Sequence, residues 1–165
     1  MSDFRHLNVD QYDEEALHPL ELAPPDPRSA QELLQLAQAK QAGVRTRLAS
    51  HDIAGALTEA LNDPPTGDHA MEARRATLSL VLDILNSTRT ADIAPALKAL
   101  RMEERDTLMK YLYRGLEAGR TGHSGVNCAV LLSWHEKVRG RKLTQLTQLA
   151  GTGCIVRVMT DRRVV

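Results

Sequence analysis

The stretch Met71-Glu-Ala-Arg-Arg-Ala-Thr-Leu-Ser-Leu-Val-Leu-Asp-Ile-Leu-Asn-Ser87 decides the fold class. Met71, Leu78, Val81, Leu82 and Leu85 fall on one helical stripe, and from Leu78 to Leu85 only Ser79 and Asp83 break the apolar run. Seventeen residues with this period and no proline predict a long helix at the centre of a core.

Downstream the same logic repeats. Ile93, Ala96, Leu97 and Leu100 share a face, and an N-cap at Asp92 would place Pro95 in the first turn, where a missing N–H costs little. A helix near Met102 to Glu117 carries Leu108, Met109, Leu112, Tyr113 and Leu116, with Gly115 inside it to admit a neighbouring helix. After a polar turn from Ala118 to His123, Ser124 reads as the cap of a helix bearing Val126, Val130, Leu131, Trp134 and Val138. The period-three repeat in Arg141 to Ala150 matches neither a 3.6 nor a 2.0 periodicity cleanly and reads as helical or irregular. Cys154 to Met159 is β-branched, but with no second strand to pair it reads as helix.

Upstream, Asp52 caps a helix with Ile53, Ala56, Leu57, Ala60 and Leu61 on one stripe, stopped by Pro64-Pro65. Before it, Ser29-Ala-Gln-Glu32 is a capping box that starts a helix at Ala30 with Leu33, Leu34, Ala37 and Leu48, running to about Ser50. Residues 1–28 hold Pro19, Pro24, Pro25 and Pro27 and no sustained stripe, so they read as an extended arm. The expectation is an all-α body of about seven helices over residues 29–165, preceded by that arm.

Composition agrees. Ala and Leu together exceed a quarter of the 165 residues, against five aromatic side chains, which suits an aliphatic helical core. Charge balances at 21 basic and 21 acidic residues, yet residues 1–28 carry seven acids and two bases while residues 139–165 carry six bases and one acid. An acidic head and a basic tail predict binding surfaces at both ends. No apolar window is long enough to span a membrane, and the acidic N-terminal region lacks the character of a targeting peptide, so a cytosolic chain is expected.

Catalytic signatures fail on spacing. Trp134-His-Glu136 lacks the second histidine of HExxH, Gly122-His-Ser-Gly125 is too short for a nucleophile elbow, and Gly151-Thr-Gly153 lacks the third glycine of a nucleotide loop. Cys128 and Cys154 lie far apart and read as reduced, buried thiols. The basic tail has no interleaved aromatic platform for nucleic acid. These readings predict no enzyme, no cofactor and no metal, and leave open a generic helical protein-interaction adaptor.

Four segments carry a resemblance. Phe4-Arg-His-Leu-Asn-Val-Asp-Gln-Tyr-Asp13, Ala56-Leu-Thr-Glu-Ala-Leu-Asn-Asp-Pro-Pro65, Leu108-Met-Lys-Tyr-Leu-Tyr-Arg-Gly-Leu-Glu117, and Leu131-Leu-Ser-Trp-His-Glu-Lys137 followed by Ile155-Val-Arg-Val-Met-Thr160 resemble subunit 5, the smallest subunit, of the actin-related protein 2/3 complex. The resemblance implies seven helices in an α-α superhelix and a noncatalytic structural subunit of the complex that nucleates branched actin filaments in the cytoplasm. It also implies that the body docks on subunit 4 and subunit 1 and that the arm reaches actin-related protein 2. Carried over by position, the arm's contacts would be Phe4, Arg5, Val9, Tyr12 and Asp13. Residues 16–50 and an insertion from Arg139 to Gly151 depart from the animal pattern of this family.

Overall fold

A computed structural model describes residues 26–120, 126–139, 151–161 and 165. Among them run seven α-helices: α1 (Ala30–Ala49), α2 (Ile53–Leu61), α3 (Met71–Ser87), α4 (Thr90–Ala99), α5 (Met102–Arg120), α6 (Cys128–Arg139) and α7 (Gly151–Thr160). No strand occurs among the described residues.

Each start has a local cause. Ser29 accepts from the Glu32 amide while Glu32 takes the Ser29 amide, closing the expected capping box of α1. The Asp52 carboxylate accepts from Gly55 N at 2.9 Å to open α2. At α5 the Glu104 carboxylate accepts from Arg101 N at 2.7 Å, half of the same device.

Helix packing links near neighbours in the chain. α1 packs on α2 and α3, α2 on α3 and α4, α3 on α5 and α6, α4 on α6, and α5 on α6 and α7. Most contacts step to the next helix or the next but one, with α2 also reaching α5 and α3 reaching α6, and they wind the chain as an α-α superhelix. α3 lies at its centre, with Val81, Ile84 and Leu85 completely buried. They join Leu57, Leu97, Leu108, Leu112, Leu131 and Trp134 in one core. A second, smaller cluster seals the α1 end, where Leu33 and Ala37 meet Ala70 and Ala73.

Several local expectations need correcting. Pro95 does not sit in the first turn: α4 begins at Thr90, with Asp92 N bonded to Arg89 O, so the proline lies in the second turn. The helix accepts it because Pro95 and Ala91 are exposed and the Ala91 carbonyl can turn to water. Met71 is 51% exposed, since Ala70 and Ala73 take the inward places opposite α1. Residues 118–120 continue α5 instead of forming a turn. Asn127 caps α6, its Oδ1 accepting from Ala129 N at 3.1 Å; Ser124 lies outside the described residues. Cys154 is buried as expected, but Cys128, in the first turn of α6, is exposed. The repeat over 141–150 lies outside the described residues.

Candidate partner-docking surfaces

The five arm residues singled out from the sequence, Phe4, Arg5, Val9, Tyr12 and Asp13, lie outside the described residues. Residues 26–28, just before α1, are described, and they are clamped to the body. The Arg28 guanidinium donates to both carboxylate oxygens of Asp26, at 2.9 and 2.6 Å, and at the same time to both oxygens of Asp63 at the end of α2. The Arg28 bonds hold the Asp26 carboxyl down at about 2, well below the usual carboxylate range.

Asp63 reaches this position at a backbone cost. Its φ is 44°, in the left-handed region and directly before Pro64. Lys40 of α1 secures that turn by donating to the carbonyls of Asn62 and Asp63. Gly67, at φ 92°, then turns the chain so that His69 Nε2 comes within 3.0 Å of the Arg28 carbonyl. Three connecting segments thus meet where residues 26–28 join the body. No sequence signal announced this clamp, because its members are spread from Asp26 to His69 and only the α1–α2 packing brings them together.

Across a cavity that Arg28, Asp63, Lys110 and Asp161 line together, three of the segments quoted for the resemblance converge, those in α5, α6 and α7. Tyr113 of α5 meets His135 of α6 edge to face, with ring centroids 5.6 Å apart. Burial, with Arg139 one turn further on, pushes the His135 pKa below its usual value. Trp134, completely buried, points its Nε1 at the Leu85 carbonyl of α3, 3.4 Å away. Arg157 of α7 forms a two-pronged ion pair with Asp106 of α5, at 2.5 and 2.9 Å, and Lys110 pairs with Asp161 at 2.6 Å. Burial works to raise the Asp106 pKa, but the Arg157 bonds prevail and hold it below the usual range. The Cys154 thiol beneath this pair is pushed up to about 12, by burial first and then by its Asp106 neighbour.

Part of the apolar surface left open by the body lies here, the rest being Leu36, Met71 and Met102 among the described residues. Leu132 of α6 and Val156 and Met159 of α7 are each more than half exposed, Met159 by 75%. Tyr113, Val158 and Met159 line a groove of about 260 Å³ between α5 and α7. Its chemistry is apolar contact edged by paired charges, suited to a protein surface. Among the described residues no three His, Cys, Asp or Glu side chains gather to hold a metal, and no helix is long and apolar enough to cross a membrane.

The sequence profile of the family described as ARP2/3 complex 16 kDa subunit (p16-Arc) matches residues 3–165. The chain belongs to this p16-Arc family. It is 33% identical to actin-related protein 2/3 complex subunit 5-C of Xenopus laevis, over 98% of this chain and 94% of that protein. Against subunit 5 of Saccharomyces cerevisiae it is 32% identical over 99% of both. The human subunit 5-like protein is 28% identical over 99% of this chain. The p16-Arc match therefore spans residues 3–25 as well as the helical body.

Proposed function

We propose that this chain is a noncatalytic structural subunit of an actin-related protein 2/3 complex, acting in the cytoplasm at the actin cytoskeleton. The helical body docks on subunits 4 and 1, and the arm tethers actin-related protein 2 through Phe4, Arg5, Val9, Tyr12 and Asp13. The observation that carries this reading is the family match over residues 3–165, which includes those five positions. Phe4 and Tyr12 supply the aromatic anchors that interfaces favour, set among acidic residues.

A tether works through effective concentration: once the body is docked, a linked arm meets its partner as an intramolecular event. The Arg28 clamp supports this, because it fixes the body end of the linker at Asp26. The exposed side chains of α6 and α7 offer the body apolar area for docking.

The test is affinity purification of the tagged full chain from a eukaryotic extract, with stoichiometric partners identified by mass spectrometry. Two actin-related proteins, a β-propeller subunit and other small subunits are expected. Deleting residues 1–25, which spares the clamp, should leave the body in the complex while actin-related protein 2 washes off several-fold faster. Unaltered retention of actin-related protein 2 would refute the tether.

A further inference from the structure

The joint between α1 and α2 reads Arg45-Thr-Arg-Leu-Ala-Ser50, with guanidinium groups five and three residues before a serine. From Arg45 to Asp52 every residue is exposed except the half-buried Leu48. Ser50 is the C-cap of α1, and its hydroxyl donates to the Arg47 carbonyl at 2.8 Å. His51 follows with φ 58° and turns the chain toward α2. Arg47 bridges the two helices, its Nε donating to Glu59 Oε2 at 2.5 Å and its Nη1 to Asp52 Oδ2 at 3.4 Å. Arg45 enters no ion pair among the described residues.

We propose that Ser50 is the phosphoryl acceptor of an arginine-directed serine/threonine kinase. Ser50 Oγ attacks the γ-phosphorus of a nucleoside triphosphate. The new O–P bond forms as the bond to the β-phosphate oxygen breaks, the nucleoside diphosphate leaves, and the hydroxyl proton passes to the kinase's base. Arg45 and Arg47 provide the positive charge that an acidic substrate cleft selects. The last turn of α1 has to open into an extended strand for this. That opening uncovers a single half-buried leucine at a helix terminus, the part of a fold that opens most readily.

The product has a structural consequence. A phosphate brings roughly two negative charges to the C-terminal end of α1, where the helix dipole is already negative. Arg47 lies on the same face three residues back and can neutralise it only by leaving Glu59. The Glu59 carboxylate presently fills the space that a side chain at Gly43 of α1 would need. Phosphorylation therefore exchanges a bridge between helices for a local one and loosens the α1–α2 joint.

The test incubates the full chain with an arginine-directed kinase and magnesium ATP, with a synthetic peptide of residues 43–53 alongside. The expected result is one phosphoryl group mapped to Ser50 by tandem mass spectrometry, and none on Ser50→Ala at that rate. Arg45→Gln should lower kcat/KM about tenfold with an unchanged melting temperature, since Arg45 holds no other element in place. In the phosphorylated chain, amides of residues 44–50 should exchange hydrogen faster. A modified peptide beside an unmodified full chain would show that the fold withholds the serine, and would overturn the proposal. So would an unmodified peptide, a phosphoryl group mapped elsewhere, Arg45→Gln at the parental rate, or unchanged exchange.

Discussion

Residues of one type part company here according to where the helices carry them. Cys154 is buried beneath the Arg157–Asp106 pair with its thiol pushed up to about 12, whereas Cys128 is exposed at the start of α6. Thiolate is the reacting species, so a native chain at neutral pH should take up one maleimide, at Cys128, and a second only after unfolding. Intact-mass spectrometry reads this directly, and rapid native labelling of Cys154 would contradict it. Spacing showed that the two thiols form no pair motif, but both were expected inside; which of them is sheltered depends on α7 covering α5. Gly115 was legible for a different reason. A glycine amid Leu108, Leu112 and Leu116 signals a close approach, and a Cβ there would sit 3.0 Å from Leu131 and 3.2 Å from Leu82.

Elements were read best where a side chain caps them. The Ser29–Glu32 box and Asp52 lie within three residues of the amides they satisfy, so sequence alone contains the interaction. α4 misled because Asp92 is a good cap by type but lies inside the helix, which starts at Thr90 without a side-chain cap. Pro95 consequently removes an N–H from the second turn and leaves the Ala91 carbonyl to solvent. Pro95→Ala should restore that bond and stabilise the protein by about 1 kcal/mol, the helix-interior penalty of proline being offset partly by a less restricted unfolded chain. Urea unfolding would check it, and a lower midpoint for the variant would show that the ring's rigidity outweighs the missing bond.

For the whole molecule, the convergence of α5, α6 and α7 makes stability respond to pH. His135 packs against Tyr113 with its pKa depressed by burial. Below about 6.5 the unfolded chain takes up a proton that the folded chain resists. Stability should therefore fall as pH drops through that value and level off once the pH is below the folded pKa. His135→Gln should flatten this part of the profile in denaturant titrations at pH 7.5 and 5.5, and an unchanged slope would assign it to other groups.

The all-α class, the central helix, the capped starts of α1 and α2 and the family are legible in the linear chain, because periodicity, caps and motifs are local information. The clamp of Arg28 between Asp26 and Asp63, the meeting of Tyr113 with His135 and the division of the two cysteines come instead from how the helices pack. Those depend on superhelical packing, which brings together residues separated by tens of positions and leaves no periodic trace in the chain.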